Sequence, residues 1–245
     1  MVFNPCILIP IYNNKDTIRD VVESLEYLDL PGLIVDDGSD RATRKVLHDI
    51  NEAFSWISII ERASNGGKGA AMATGFRSAF EHGFTHAVQI DADGQHDAAD
   101  VPRFLEQAQR SPEALVLGKP LFDDSAPAAR RYGRLVTTFW VYLETWSVDI
   151  KDALCGFRCY PLQSVMQLYE HTAIGSGMVF DTEIAVRLHW SGVPMVNVET
   201  KVNYAKNGVS HFRYLQDNFR ITWLHTKLFF GMLIRIPQLL FRDQN

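Results

Sequence analysis

The chain has 245 residues, 47% hydrophobic and 22% charged, a composition that excludes an intrinsically disordered protein and allows one large or two small domains. Its net charge of −5 is unevenly spread, because residues 201–245 hold seven Lys and Arg against two Asp and Glu. A basic tail on an acidic body indicates an anionic partner at that end, such as a phosphate group or a membrane surface, although a solvated basic helix fits as well. We expect no nucleic-acid partner.

The first hundred residues alternate short apolar runs with longer amphipathic segments. The apolar runs predict buried strands of a parallel sheet at 6–12, 32–37, 56–60 and 86–91. The segments between them have helical spacing, at 15–28, 40–54 and 68–82. Asp40 and Thr43 are placed to start the second of these helices. This strand–helix repeat predicts an α/β layered domain.

The second half is less regular. Its patterns predict strands at 113–120 and 194–204 and helices at 127–147 and 178–192. A last helix is predicted from about Tyr214 to Phe241, with Arg220, Lys227 and Arg235 on one face. This pattern is typical of an amphipathic helix at a membrane surface, and equally of a helix packed on the body or on a second subunit. We therefore expect a catalytic domain at 1–210 and a basic helical tail at 211–245, with a homo-oligomer as one alternative.

Cysteine content and hydropathy bear on the compartment. Cys6, Cys155 and Cys159 have no zinc-type spacing, so reduced core cysteines are expected. The segment MVFNPCILIP lacks the basic region of a signal peptide, and the sequence offers no simple membrane span. We expect a cytoplasmic protein, either free or peripheral on the inner face of the cytoplasmic membrane.

Polar side chains follow each of the first four predicted strands. Ligands of open α/β sheets collect beyond the carboxyl ends of the strands. Polar groups are found at each such end: Asn13 and Asn14, Asp36 and Asp37, the loop SNGGKGAA (64–71), and Asp91 and Asp93. The sequence therefore predicts one site at one edge of the sheet.

Asp91, Asp93 and Gln95 are spaced two residues apart, so in an extended segment they would crowd one spot. Two carboxylates that close repel each other unless a cation or a proton lies between them. A hard divalent cation that keeps positions open for phosphate oxygens, Mg²⁺ or Mn²⁺, suits these ligands. The alternative is a turn or helix-capping cluster.

The Gly-rich loop and the second strand offer further contacts. The amides of SNGGKGAA and the amine of Lys68 could meet an anion at a helix start, although the loop lacks the spacing of a P-loop and alone would be a tight turn. A carboxylate at Asp36 or Asp37 could accept hydrogen bonds from a nucleobase or a ribose, or could cap the next helix.

Four ordered motifs resemble those of glycosyltransferase family 2, inverting enzymes of the GT-A fold that use nucleotide-sugar donors. They are IPIYNN (9–14), where Asn14 replaces the usual Glu, VDDGSD (35–40), NGGKGAAMATG (65–75) and DADGQH (91–96). DADGQH and CGFRCYP (155–161) resemble the branch of dolichol-phosphate mannosyltransferases and bacterial polyprenyl-phosphate glycosyltransferases. The resemblance spans about residues 4–210. It implies a mostly parallel, Rossmann-like GT-A sheet flanked by helices, with the amphipathic tail added.

The resemblance also implies roles for individual residues. Asp37 would contact the base, Asp91 the nucleotide, and Asp93 with Gln95 the metal ion. The nucleotide pocket would be lined by Pro10, Tyr12 and Lys68. The donor diphosphate or the acceptor phosphate would be faced by Arg158, Arg130 and Arg131, although the last two also fit surface positions.

The acceptor determines the remaining chemistry. A hydroxyl acceptor needs a general base, whereas a lipid phosphate arrives already ionised. Asp181 and Glu183 are the candidate carboxylates, and on a helix only one of them can face a site. Glu183 fits a helix N-terminal acid equally well. His211 could be an acid, a base or a phosphate contact.

The sequence favours an inverting, metal-dependent enzyme that moves a sugar from a nucleotide-diphosphate sugar to polyprenyl phosphate or another membrane-near acceptor. One alternative is a phosphohydrolase with Asp91 as the nucleophile, although that chemistry normally uses the first strand. Another is a nucleotide-binding module without turnover that docks on a membrane through its tail.

Overall fold

The computed structural model describes residues 2–121, 128–202 and 214–240. Seven strands belong to one sheet: β1 (Pro5–Ile11), β2 (Gly32–Asp36), β3 (Ile57–Glu61), β4 (His86–Gln89), β5 (Leu115–Leu121), β6 (Arg158–Pro161) and β7 (Met195–Lys201). Eight α-helices are described: α1 (Ile18–Leu25), α2 (Arg41–Ala53), α3 (Lys68–Glu81), α4 (Val101–Arg110), α5 (Ala128–Thr145), α6 (Leu162–His171), α7 (Phe180–Trp190) and α8 (Tyr214–Leu240).

The strand order is β3-β2-β1-β4-β6-β5-β7. All pairs are parallel except those of β6, which runs antiparallel between β4 and β5. The predicted α/β sheet with helices around it is confirmed, and the polar ends of β1, β2, β3 and β4 lie along one edge. The sequence prediction did not include β6, α4 or α6.

The core occupies both faces of the sheet because successive strand residues point to opposite sides. In β1, Cys6 and Leu8 belong to the cluster that also holds Phe76 of α3, while Ile7 and Ile9 belong to the cluster on the other face. Burying both faces explains why the inner strands read as continuous apolar runs rather than alternating ones.

All three cysteines are free thiols in this core, as the sequence predicted. Burial raises the pKa of the Cys6 and Cys155 thiols to about 12, and it also raises the pKa of Cys159. These thiols therefore remain protonated at neutral pH and pack as small apolar side chains.

The start of α2 follows the predicted capping pattern. Asp40 is the N-cap residue, and its carboxylate accepts a hydrogen bond from Thr43 N at 2.7 Å. The bond satisfies one of the amides that the first helical turn leaves unpaired, and it lowers the pKa of the Asp40 carboxyl. Asp40 thus has a structural role, as the capping interpretation predicted.

Helix α8 packs on the body through one apolar face. Leu224, Leu228 and Met232 are buried there, and His225 Nδ1 lies 2.8 Å from Glu144 Oε1 of α5. No described helix combines the length and the hydropathy needed to cross a bilayer. The predicted boundary between residues 210 and 211 lies outside the described residues.

Candidate active site

A single lysine joins two acidic segments at the carboxyl edge of the sheet. Lys68, the first residue of α3, places Nζ 2.8 Å from Asp91 Oδ1 and 2.7 Å from Asp181 Oδ2. Asp91 follows the end of β4, and Asp181 lies in the first turn of α7. The positive charge next to the first carboxylate of DADGQH is therefore supplied by the chain itself.

The protonation of this group follows from burial and charge together. Burial alone would lower the pKa of Lys68, but the attraction of Asp181 and Asp91 raises it above its ordinary value. Burial likewise opposes ionisation of Asp91, and Lys68 outweighs it, so the pKa of that carboxyl lies well below its usual range. Lys68 is a cation and Asp91 an anion at neutral pH.

A buried chain of hydrogen bonds supports the two carboxylates from below. Gln89 Nε2 donates to Asp91 Oδ1 at 3.1 Å and to Asp181 Oδ1 at 3.5 Å, while Tyr160 Oη donates to Gln89 Oε1 at 3.1 Å. Both Gln89 and Tyr160 are completely buried. No sequence pattern predicts their role, because a glutamine in one apolar strand and a tyrosine in another do not indicate that the two strands pair.

Arg158 does not lie where the resemblance placed it. Its side chain is 0% exposed, and its guanidinium donates to the carbonyl oxygens of Cys155, Ala153 and Asp181 at 2.7, 2.8 and 2.6 Å. These bonds satisfy a buried charge that would otherwise be costly. In this structure Arg158 fixes the backbone at Asp181 and contacts no surface from which a phosphate could approach, which corrects the expectation of a phosphate contact.

Asp93 and Gln95 form a tight turn after β4. Gln95 N donates to Asp93 Oδ1 at 3.0 Å, and Gly94 between them has a φ of 70°, in the region that favours glycine. Burial and the neighbouring Asp91 carboxylate raise the pKa of Asp93. Among the residues that the structure describes, no ammonium group pairs with Asp93 as Lys68 pairs with Asp91.

The oxygen donors of this turn suit a cation whose coordination is completed by substrate phosphates and water. Within the described residues, no three or more His, Cys, Asp and Glu side chains converge into a ready-made metal cage. Mg²⁺ is commonly held by one or two carboxylates together with substrate phosphates and water. A half-buried Asp93 whose ionisation is opposed by Asp91 fits that pattern, because a cation would relieve the repulsion.

Asp37 organises the Gly-rich loop. Its Oδ1 lies 3.0 Å from Gly66 N and 2.8 Å from Arg62 Nε, and its Oδ2 accepts from Gly67 N at 2.7 Å. Gly67 has a φ of 90°, and a Cβ there would lie 2.6 Å from Ser176 O. These contacts hold the loop against the start of α3, and contact of Asp37 with a base stays a prediction.

Pro10 and Tyr12 border the same edge. Pro10 lies in β1 and Tyr12 directly after it, with 40% of its surface exposed. Asn13 adopts a φ of 57°, its N donates to Ser39 Oγ at 3.0 Å, and its Oδ1 accepts from Asp40 N at 2.9 Å. Asn13 therefore ties the first loop to the second, which brings Tyr12 beside the end of β2.

Asp181 and Glu183 point in different directions, as expected for a helix. Asp181 faces Lys68, whereas Glu183 accepts from Gly175 N at 2.8 Å and pairs with Arg187 and Lys227 at 2.8 and 3.0 Å. Burial would raise the pKa of Glu183, but these hydrogen bonds lower it below its ordinary value. Glu183 thus connects α7, α8 and the segment before α7. These contacts favour a structural role for Glu183 over that of a general base.

The chain belongs to glycosyltransferase family 2. This follows from the match of residues 6–166 to the family model described as "Glycosyl transferase family 2". As a glycosyltransferase, the chain is not the phosphohydrolase that was one alternative. The chain is 27% identical over 181 residues to a UDP-N-acetylglucosamine--dolichyl-phosphate N-acetylglucosaminyltransferase of Methanococcus voltae, covering 67% of this chain and 72% of the relative. It is 26% identical to a polyprenol monophosphomannose synthase of Mycolicibacterium smegmatis, covering 83% and 79%.

Solved structures confirm the GT-A fold. The glycosyltransferase resembles the mannosyltransferase PcManGT from Pyrobaculum calidifontis, solved with GDP-Man and Mn²⁺, with a TM-score of 0.62 and 15% identity over 95% of this chain and 64% of that one. Residues 1–349 of S. aureus TarS, solved with UDP-GlcNAc, match with a TM-score of 0.62 and 12% identity over 98% of this chain and 72% of that one. At these identities the likeness concerns the fold.

The side chains of three predicted phosphate contacts of the glycosyltransferase are outside the described residues. Arg130 and Arg131 are in the first turn of α5, but their side chains are outside the described residues. His211 lies in the segment 203–213, which is outside them altogether. Their roles stay predictions.

Gly156 lies in the motif CGFRCYP and borders the site, although the sequence did not predict a role for it. A Cβ at this position would overlap Asp91 Oδ2 and lie 2.7 Å from Lys68 Nζ. The loop before β6 therefore approaches the ion pair so closely that only a residue without a side chain fits.

Proposed function

We propose that this glycosyltransferase moves a sugar from a nucleotide-diphosphate sugar to polyprenyl phosphate, with inversion at the anomeric carbon. The observation that carries the proposal is the convergence of Lys68, Asp91 and Asp181 beside the Gly-rich loop at the carboxyl edge of the sheet. The activities of the Methanococcus voltae and Mycolicibacterium smegmatis relatives support a lipid phosphate as acceptor.

The donor nucleotide would bind along the ends of β1, β2 and β4. Tyr12 and Pro10 would contact the nucleoside, Asp37 the base, and Asp91 the nucleotide. Lys68 would attract the diphosphate with its ammonium group, and the amides of the loop at the start of α3 add a partial positive charge. These groups are held in place before any ligand arrives, which lowers the entropy lost on binding.

A divalent cation would bind at Asp93 with Gln95, together with the donor diphosphate. Mg²⁺ or Mn²⁺ suits oxygen ligands of this kind, and the complex of PcManGT contains Mn²⁺. The ion would stabilise the negative charge that develops on the leaving diphosphate. Asp93 supports this assignment because its carboxylate is half-buried and lies close to a second anion.

A phosphate acceptor explains the pairing of Asp181 with Lys68. A general base must be free to accept a proton from the acceptor. Asp181 Oδ2 instead forms an ion pair with the ammonium group of Lys68 at 2.7 Å. A phosphate nucleophile carries no proton that must be removed, so its oxygen can form the new bond to the anomeric carbon while the bond to the diphosphate breaks. Asp181 then acts by holding Lys68, and direct displacement inverts the configuration.

The proposal is tested by a donor screen that records release of nucleoside diphosphate with and without undecaprenyl phosphate in detergent. We expect release with one base and sugar only when the acceptor and Mg²⁺ or Mn²⁺ are present, and loss of release in Asp93→Ala. Transfer that persists in Asp93→Ala and with a chelator would contradict metal dependence. Retained configuration in the product would contradict direct displacement.

We further propose that the chain has a catalytic domain at 1–210 and a tail at 211–245 and works peripherally on the cytoplasmic membrane. Helices α5 and α8 pack against each other, and both expose large apolar side chains, here together called the apolar platform: Leu135, Val136, Phe139, Phe219, Trp223, Phe230 and Ile234. Phe139 and Trp223 are each 64% exposed and Ile234 is 81% exposed. Exposed apolar patches of this kind mark membrane or protein contacts.

Flotation with liposomes separates the two uses of the platform. We expect the full chain to float, and Trp223→Ser with Ile234→Ser to remain at the bottom of the gradient. If this double variant instead turned a dimer of the chain into a monomer and left flotation unchanged, the platform would be a contact between two copies.

A further inference from the structure

A groove separates α7 from α8 beside the apolar platform, with a volume of about 510 Å³. We call it the basic groove. The residues that line it and bear on its chemistry are Arg187, Trp190, Trp223, Lys227, Phe230 and Arg235. Trp223 and Phe230 belong to the platform as well, so the groove opens directly onto the apolar surface. Its walls combine aromatic rings with three cationic side chains.

The charges of the basic groove do not cancel. Arg187 and Lys227 share one carboxylate, Glu183, whose Oε1 lies 2.8 Å from Arg187 Nη2 and 3.0 Å from Lys227 Nζ. Arg235 donates to the carbonyl of Gly231 at 3.0 Å, and within the described residues no carboxylate pairs with it. Among the residues that line the groove none is acidic. The groove therefore retains an excess of positive charge.

Two of the three cations lie over one aromatic ring. The guanidinium of Arg235 lies 4.7 Å from the centre of the Trp190 ring, and that of Arg187 lies 6.0 Å from it. Trp190 is itself fixed, because its Nε1 donates to Glu144 O at 2.9 Å. A Cβ at Gly231 would lie 2.9 Å from the Trp190 ring, so the close approach of α8 requires a glycine there. A guanidinium has five N–H donors, so Arg235, which uses Nη1 for the Gly231 carbonyl, keeps further donors for an oxyanion.

We propose that the basic groove binds the phosphate headgroup of an anionic phospholipid in the bilayer on which the apolar platform rests. This inference rests on the proposed membrane association. A lipid phosphate matches the excess positive charge, and the acyl chains of the same lipid continue into the apolar surface beside the groove. In a two-fold symmetric dimer, a second copy of the chain would present the same basic groove and would offer no such complement.

This headgroup site is distinct from the transfer site. Asp181 faces Lys68 and Asp91, whereas Glu183, two residues later, faces Lys227 and Arg187. The two carboxylates of α7 thus separate a side that meets the donor from a side that meets the membrane. A headgroup on Lys227 also adds an anion beside the Glu183 junction, which joins α8 to the segment before α7.

The test is sedimentation of the full chain with sucrose-loaded vesicles of phosphatidylcholine, with and without a third of phosphatidylglycerol, and with no donor or acceptor present. Lys227→Gln and Arg235→Gln are each expected to lower binding to the anionic vesicles by at least about ten-fold. A basic residue that acts only through the general surface potential contributes about five-fold, or about 1 kcal/mol. Binding to the neutral vesicles is expected to be unchanged.

The matched control is Arg220→Gln, which removes the same charge from the same helix outside the groove. We expect at most a five-fold effect from it. Lys227→Arg keeps the charge and is expected to retain most of the binding, which guards against a loss caused by misfolding. Equal effects of Arg220→Gln and Arg235→Gln would overturn the site and leave only diffuse attraction.

Two other results would also overturn it. One is a dimer of the free chain that Lys227→Gln and Arg235→Gln dissociate while vesicle binding stays intact, which would assign the groove to a contact between copies. The other is a wild-type chain that binds vesicles equally well with and without phosphatidylglycerol, yet releases nucleoside diphosphate in the donor screen. That second result would leave the proposed glycosyl transfer standing, so the two proposals fail separately.

Discussion

Lys68 Nζ lies 2.7 Å from Asp181 Oδ2, although the two residues belong to helices that the sequence places far apart. The same ammonium group lies 2.8 Å from Asp91 Oδ1, so one cation serves two anions in a mostly buried position. Such a group is costly to desolvate and is stable only while all its partners are present. The ion pair thus links α3, α7 and the end of β4 by charge.

Removing the charge of Lys68 is expected to destabilise the fold. In Lys68→Met, Asp91 and Asp181 face each other without a counterion, and breaking a buried pair in this way typically costs about 3–5 kcal/mol. Urea unfolding at pH 7 measures the loss. The double variant Lys68→Met with Asp181→Asn relieves the repulsion and should recover part of it.

Acid should also rescue Lys68→Met. Without the ammonium group, burial and the neighbouring carboxylate raise the folded-state pKa of Asp91 above its unfolded value, so stability from its protonation is present at low pH and is lost as the pH rises. The difference in unfolding free energy between wild type and variant is therefore expected to become smaller as the pH falls. A difference that stays constant across the pH range would contradict a role of Lys68 as the shared counterion.

Gly156→Ala is expected to weaken donor binding. The added methyl group overlaps Asp91 Oδ2 and presses on Lys68, so the pair must shift, at a cost of about 1–3 kcal/mol. Calorimetry with nucleoside diphosphates measures the affinity. Gly177→Ala is the control, because a Cβ there meets nothing within 4 Å. Equal affinities in the two variants would show that the ion pair is not part of the nucleotide site.

Tyr160→Phe tests the buried support of the carboxylates. The change removes the hydroxyl that donates to Gln89 Oε1 and leaves that oxygen unsatisfied, which costs about 1–3 kcal/mol. If Gln89 then loses its orientation, kcat should fall while KM for the donor changes little. A purely structural role would lower the melting temperature and leave kcat of the folded protein unchanged.

Glu183→Gln is expected to lower stability in a pH-dependent manner. The lowered pKa of Glu183 means that its charge stabilises the fold above the unfolded pKa, near 4.5, and that this contribution is lost as the pH falls through the folded value. The difference between wild type and variant should be full at pH 7 and shrink in acid. Thermal melts at several pH values measure it, and a difference that grew in acid would show the opposite sign.

The sequence predicted the first four strands because each reads as an apolar run. β1, β2 and β4 are buried on both faces, whereas β3 at the edge of the sheet is only partly buried. It also predicted that their polar ends would meet, since parallel strands share one carboxyl edge. The sequence therefore predicts that Asp91 and Lys68 belong to the same site. Asp181 was named too, but its spacing could only show that it and Glu183 point apart.

Other parts of the site depend on pairing that no local pattern encodes. Strand β6 is four residues long and antiparallel, so neither its length nor its neighbours marked it. Its register places Arg158 opposite Gln89, and from that one pairing follow the buried guanidinium and the support of Asp91. The resemblance to the family implied a phosphate contact for Arg158, and no local pattern in CGFRCYP indicates that its guanidinium is buried.

The buried cysteines give the chain a practical property. With Cys6 and Cys155 held at a pKa of about 12 and Cys159 also raised, thiol reagents find no reactive native target while the fold is intact. A single cysteine introduced at Trp223 or Phe139 could therefore carry a fluorophore or a spin label without any prior replacement. Depth measurements from such probes would test the proposed contact with a lipid surface, residue by residue, in the otherwise native protein.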